Sequence, residues 1–155
     1  MLDQFIIIDI CYINNYDLFI EHYNMKRNCL SFGKVISVDE NETKFTITFE
    51  KKIMHVVAYG VCCSESWFEY PCDLKYLIGK RMFDVHNTGE EIDLPFSNRQ
   101  ESDTNEISYI YTEKNDPVMF YLRNSSNGYY GGWFEIMLED NFYPNVPENL
   151  CKING

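Results

Sequence analysis

Thr43-Lys44-Phe45-Thr46-Ile47-Thr48-Phe49-Glu50 alternates strictly, with Phe45, Ile47 and Phe49 on one side and Lys44, Thr46 and Thr48 on the other. Side chains on a strand point to opposite faces at every step, so this pattern predicts a half-buried strand and not a helix. Upstream, Gly33-Lys34-Val35-Ile36-Ser37-Val38 reads as a strand and Asp39-Glu40-Asn41-Glu42 as a polar turn. Downstream, Lys51-Lys52 connects to a third strand over Ile53 to Gly60. Three strands in succession with short links make an antiparallel meander.

Working outward, the segment Tyr59-Gly60-Val61-Cys62-Cys63-Ser64-Glu65-Ser66-Trp67-Phe68-Glu69 predicts a corner. The strand ends at Gly60, a tight Cys-Cys-Ser turn comes next, and Trp67-Phe68 re-enters the sheet. Cysteine packs as a small hydrophobe, which makes a buried corner the expectation. After Pro71, Asp73-Leu74-Lys75-Tyr76-Leu77-Ile78-Gly79 has helical character, with Asp73 at its start and Gly79 at its end. Lys80 to Val85 reads as a strand closed by Asn87-Thr88-Gly89. The polar, acidic stretch 87–106 reads as a long mobile loop. Ile107–Thr112 and Val118–Arg123 form a further strand pair. Asn127-Gly128 marks a terminal hairpin turn, and Gly131 to Glu139 closes the sheet. Residues 3–25 read as a strand, a turn at Asn14-Asn15-Tyr16-Asp17 and a short mixed segment. Residues 140–155, with Pro144 and Pro147, read as an irregular tail. The expected fold is therefore mainly β (α+β): one antiparallel sheet or meander over residues 1–155, able to curl into a barrel-like form, with one or two short helices.

Composition bounds the function. The 155 residues suit a single domain, and hydrophobic residues at 45% with aromatics at 16% supply a proper core. Ala58 is the only alanine, while Asn, Ile, Tyr and Phe abound, a pattern that resembles the coding bias of an AT-rich genome. Asp and Glu number 24 against 13 Lys and Arg, for a net charge of −11. Phosphate backbones and anionic lipid surfaces both repel such a chain, so neither nucleic acid nor membrane is an expected partner. The opening Met1 to Ile10 has acids within its apolar run and no basic leader, so it is not read as a secretion signal. The expected location is cytoplasmic and not secreted, with the six cysteines reduced.

Three kinds of chemistry compete at the cysteine corner. Zinc sites draw on paired C-x2-C or on Cys with His, whereas Cys62 and Cys63 are adjacent and eight residues separate Cys63 from Cys72. Cys62, Cys63 and Cys72 are therefore only weak metal candidates. A nucleophilic thiolate needs a base or a positive field, and Glu65 and Glu69 supply the opposite sign. Glu65, Glu69 and Glu135 could be paired as acid and base, but carboxylates occur throughout this chain. No catalytic residue and no cofactor is assigned on these patterns.

A second constellation, Asn127-Gly128-Tyr129-Tyr130-Gly131-Gly132-Trp133, suits a packed hairpin or an aromatic platform for a ring-shaped ligand. Together with the corner it defines five candidate ligand-binding residues, Trp67, Glu69, Tyr129, Tyr130 and Trp133.

Two of these motifs carry a resemblance. Gly60-Val61-Cys62-Cys63-Ser64-Glu65-Ser66-Trp67-Phe68-Glu69, succeeded by Leu77-Ile78-Gly79-Lys80 and by Ser126-Asn127-Gly128-Tyr129-Tyr130, resembles the signature of a family catalogued as a domain of unknown function. Its members are small proteins of bacteriophages and large DNA viruses. The resemblance covers about residues 52–139; it implies a viral origin and carries no assigned catalytic residue. The expected role is a non-enzymatic protein-interaction module with a viral or host protein partner, either a virion component or a host-directed factor. The alternatives are a small-molecule, nucleotide or sugar binder, or a hydrolase, with a pocket between Cys62–Glu69 and Tyr129–Trp133. A cysteine-based zinc or thiol site is a weaker one.

Overall fold

Eight strands and one 3-10 turn make up the computed structural model, which describes residues 32–128 and 130–141. The strands are β1 (Gly33–Glu40), β2 (Lys44–Phe49), β3 (Lys52–Gly60), β4 (Glu65–Glu69), β5 (Arg81–Glu91), β6 (Ser102–Thr112), β7 (Val118–Ser126) and β8 (Gly132–Asp140). All pairings are antiparallel, in the order β4-β7-β6-β5-β1-β2-β3-β8. The expected mainly β fold with a β1-β2-β3 meander is what forms. The expectations for residues 3–25 and for the tail beyond 141 fall outside the described residues.

The alternating strand behaves as its pattern requires: Phe45, Ile47 and Phe49 are fully buried. Its partners across the ladder, Val56 and Met54 of β3, are buried as well. The sheet curls so that its two halves face each other over this core. Phe45 of β2 lies edge-on to Phe68 of β4 at 5.3 Å and to Phe120 of β7 at 5.1 Å between ring centroids. Phe134 of β8 closes the group, 6.0 Å from Phe68 and 5.7 Å from Phe120. Such tilted and edge-to-face pairs are the favoured aromatic geometry. The curl brings the two end strands together without closing a barrel: no ladder joins β4 to β8 among the described residues. Where the ends meet, Val61 N–H donates to the Gly131 carbonyl (3.3 Å) and the Ser64 hydroxyl donates to the same carbonyl (3.2 Å).

The segment after Pro71 is a single 3-10 turn over Leu74–Leu77. Asp73 caps it by accepting from Lys75 N–H (2.9 Å), and Gly79 sits just beyond it with a φ of +85°. Leu74 and Leu77 bury their side chains in the core, which is the reason so short an element persists.

Two expectations are corrected. Strands occupy half of the stretch read as a loop, for β5 runs to Glu91 and β6 begins at Ser102. Asn87-Thr88-Gly89 does not end β5. Gly89, at φ +71°, sits in an irregularity of the β5–β6 register, with Asn87 Oδ1 accepting its N–H (2.9 Å). Glycine and asparagine serve a bulge as well as a turn, so local chemistry could not separate the two. The terminal hairpin is also absent. Gly128 does turn the chain, at φ +99°, but both flanks of β7 are taken by β4 and β6. β8 therefore crosses to the far end of the sheet and pairs with β3.

Candidate functional site

The two halves of the sheet differ on their outer faces. On the β4-β7-β6 half, Trp67 stands opposite Arg123, which stands opposite Asn105. These three side chains point away from the core that Phe68 and Leu122 face. Residues 92–101 fold over them. Arg123 is almost enclosed, with a side chain 6% exposed, and each of its three guanidinium nitrogens is hydrogen-bonded. Nε donates to Asn105 Oδ1 (2.7 Å) and Nη1 to Glu69 Oε2 (2.6 Å). Nη2 donates to the Pro95 carbonyl (2.6 Å) and to Asp103 Oδ2 (3.2 Å). A buried arginine is tolerable only when its donors are met in this way. Asp103 in turn accepts from Ser97 N–H (2.6 Å) and the Ser97 hydroxyl (2.7 Å). Burial alone would raise its carboxyl, but the hydrogen bonds from Ser97 and Ser125 and the charge of Arg123 win and hold it below its ordinary range.

Trp67 is part of this assembly. It is 3% exposed, donates from Nε1 to Glu69 Oε2 (3.1 Å), and carries Arg99 on its ring face. Arg99 also bridges Glu42 and Glu65. Of the five candidate ligand-binding residues, Trp67 and Glu69 are thus committed to holding Arg123 and the segment above it. Arg123, Asp103 and Arg99 do not stand out in the sequence. The available signal is an arginine set in the strand run Phe120-Tyr121-Leu122-Arg123, which periodicity alone does not distinguish from an exposed strand residue.

The two constellations do meet, through small groups. A Cβ at Gly132 would overlap the Ser66 hydroxyl and lie 2.8 Å from Asn124 Nδ2 and 2.9 Å from the Tyr59 carbonyl. Asn124 Nδ2 donates to Ser66 Oγ (2.9 Å) and to Ser64 Oγ (3.2 Å), filling the junction with side-chain hydrogen bonds.

The cysteines do not form the buried corner expected of them. Cys62 and Cys63 are exposed at the tip of the β3–β4 turn, with Cys62 in the left-handed region at φ +53°. The turn closes when Ser64 N–H reaches the Val61 carbonyl (2.9 Å), and this projects the tip outward. The two thiols are 3.4 Å apart, and this contact holds the Cys63 thiol above its ordinary value. Cys72 lies past the other end of β4, whose five residues at about 3.3 Å each separate it from the pair. Cys62, Cys63 and Cys72 therefore make no joint site. No group of three or more His, Cys, Asp or Glu able to hold a metal exists among the described residues.

The outer face of the other half, β3 and β8, is bare among the described residues. Trp133 is 41% exposed and Met137 43%, alternating with the inward Phe134, Ile136 and Leu138. Tyr59 stands opposite Trp133 and stacks on it at 5.9 Å and 26°. Val61 and Tyr130 are exposed beside the same end of β8. Glu135, opposite Val57, accepts from Trp133 Nε1 (3.3 Å). Glu139 reaches His55 Nε2 at 3.3 Å, and His55 Nδ1 lies 3.1 Å from Thr46 Oγ1. The face is an apolar strip of Tyr59, Trp133 and Met137 with carboxylates along it. Of the candidates from the hairpin, Trp133 and Tyr130 are displayed here; Tyr129 falls outside the described residues.

The residues from 29 to 136 match the family model described as Domain of unknown function (DUF7448). The chain belongs to that family. The match begins well before residue 52, so it takes in the whole β1-β2-β3 meander as well as the cysteine corner and the later strands. Uncharacterized protein L278 of Acanthamoeba polyphaga mimivirus is 37% identical over 120 residues, which cover 76% of this chain and 94% of that protein. A family with a large-DNA-virus member agrees with the resemblance drawn from the cysteine corner. No solved structure matches the chain. No helix among the described residues is long and apolar enough to cross a membrane.

Proposed function

We propose that this protein is a cytoplasmic protein-binding module of viral origin, and that it engages its partner through the outer face of β3 and β8. The observation that carries this reading is the contrast between the two outer faces. One is roofed by residues 92–101, and the other leaves Trp133 and Met137 exposed among the described residues, with Tyr59 half-buried beneath the Trp133 ring. Aromatic and methionine side chains are enriched at the centres of protein interfaces, where a few of them carry most of the binding energy. Glu135 and Glu139, on the same face of β8, select a partner with a basic rim around an apolar patch. The acidic composition supports a protein partner over a polyanion. Whether that partner belongs to the virion or to the host is a question of identity that the same experiment answers.

The test compares wild type with Trp133→Ser/Met137→Ser as baits in an infected-cell lysate. Removing two anchors should lower retention of the true partner by about 30-fold or more, the equivalent of at least 2 kcal/mol. The variant must keep its melting temperature, as expected of exposed positions. Equal capture by both baits, or capture by neither, sinks the proposal.

A further inference from the structure

The Cys62-Cys63 pair enters neither the core nor the proposed interface, and its geometry is specific. Both thiols are exposed, with sulfurs 3.4 Å apart. The turn that bears them is fixed on both sides. Ser64 N–H bonds the Val61 carbonyl at its base, and Gln100 Nε2 donates to the Cys63 carbonyl at 2.7 Å. Cys62 occupies a left-handed conformation at φ +53°, which few non-glycine residues adopt. Two free thiols thus face each other in water on a preformed turn, where an oxidant can reach either one.

We infer that Cys62 and Cys63 form a reversible dithiol–disulfide site that exchanges with small-molecule disulfides of the glutathione class. The reaction balances in two steps. One Cys thiolate attacks a sulfur of the oxidised small-molecule disulfide, forming a mixed disulfide and expelling one reduced thiol. The neighbouring cysteine then loses its proton and attacks the protein sulfur of that mixed disulfide, closing the Cys62–Cys63 bond and expelling the second reduced thiol. Two protein thiols are oxidised and one external disulfide is reduced to two thiols. The adjacency of the pair makes the second step intramolecular, so the mixed disulfide does not accumulate.

The product is a switch and not a staple. Adjacent Cα atoms are about 3.8 Å apart across a trans peptide, below the roughly 4.4–6.8 Å that relaxed disulfides span. A strained disulfide is more easily reduced, so the bond opens again when reduced thiol is in excess. Closing the ring also encloses no loop, so it adds almost nothing to stability through the unfolded chain. Oxidation instead changes the turn whose Cys63 carbonyl Gln100 holds, and with it the anchorage of residues 92–101.

The full-length protein is equilibrated with graded ratios of oxidised to reduced glutathione, quenched with an alkylating agent, cleaved with chymotrypsin at Phe68, and analysed by mass spectrometry. Cleavage there separates Cys62 and Cys63 from Cys72. The expected product is a peptide holding both residues, unalkylated and two hydrogens lighter, that rises with the oxidised fraction and disappears on return to reducing conditions. Cys63→Ser should trap the glutathione adduct on Cys62 instead. Full alkylation of both residues at every ratio overturns the inference. So does a stable glutathione adduct on the wild-type pair, or a disulfide from either residue to another cysteine. Both positions are exposed, so the variant keeps the fold, and unchanged circular dichroism confirms it.

Discussion

The guanidinium carbon of Arg99 lies 3.6 Å from the centre of the Trp67 ring, so a residue of the 92–101 connection closes over a tryptophan that its own strand directs away from the core. The buried Arg123 approaches the same ring at 5.3 Å. Trp67 thereby links β4 to the connection above it through a cation–π contact whose ring is buried and whose cation is partly exposed.

Arg99→Ala should uncover that ring. In a Trp133→Phe background, where Trp67 is the only tryptophan, its emission should shift to the red and the protein should lose about 0.5–1 kcal/mol, the range for a cation–π contact with a partly exposed cation. Arg99→Lys keeps the charge toward Glu42 and Glu65 but not the flat stacking surface, and should recover only part of the loss. An unchanged emission maximum in Arg99→Ala would show that the connection is held down without this contact.

Gly132→Ala tests the junction of the two sheet ends. The added methyl meets Ser66, Asn124 and the Tyr59 carbonyl, and the cost of such overpacking is about 1–3 kcal/mol. Gly131→Ala meets nothing within 4 Å and serves as the control. Adding Ser66→Gly to Gly132→Ala should return part of the lost stability in denaturant unfolding. Equal effects of the two alanines would contradict the packing described.

Asp84 is 2% exposed, and its Oδ2 has no hydrogen-bond partner. Burial raises its carboxyl well above the ordinary value, and the hydrogen bond from Val85 only partly opposes this. An acid whose folded value is raised binds more protons folded than unfolded, so its contribution to stability falls as pH climbs from about 4 through the folded value. Asp84→Asn removes this dependence. Relative to wild type, the variant should gain stability progressively from pH 4 to pH 8 in chemical unfolding. A difference that stays flat across that range would refute the assignment.

How much of the fold is legible in the residues depends on the range of the interactions involved. Phe45, Ile47 and Phe49 announce β2 because alternation is local, and the short links on either side fix the meander. Asp73 and Gly79 mark the ends of the turn between them for the same reason. The destination of β8 is not legible, because β6 takes one flank of β7 and the other is filled by β4, which comes from a distant part of the chain. The Arg123 assembly is hidden likewise. It draws Glu69, Pro95, Asp103 and Asn105 together from three separate segments. The cysteine pair misleads because its residue type favours burial while the turn geometry projects it outward. Of the residues read as ligand-binding, the structure separates Trp67 and Glu69, which are engaged internally, from Tyr130 and Trp133, which are displayed.

The strand order also sets a schedule for synthesis. β1, β2 and β3 are consecutive in the chain and neighbours in the sheet, so they can pair as soon as residue 60 has left the ribosome. The free flank of β3 must then wait for β8, more than seventy residues later, with Val56 opposite Ile136 and Ala58 opposite Phe134 in the finished ladder. Long-range pairing of this kind is slow, and an open strand edge recruits other chains while it waits. Lys51-Lys52 at the start of β3 and the acidic charge of the chain as a whole therefore guard nascent copies against one another during the interval. Shortening the delay, by permuting β8 to precede β1, would be expected to raise the yield of folded protein.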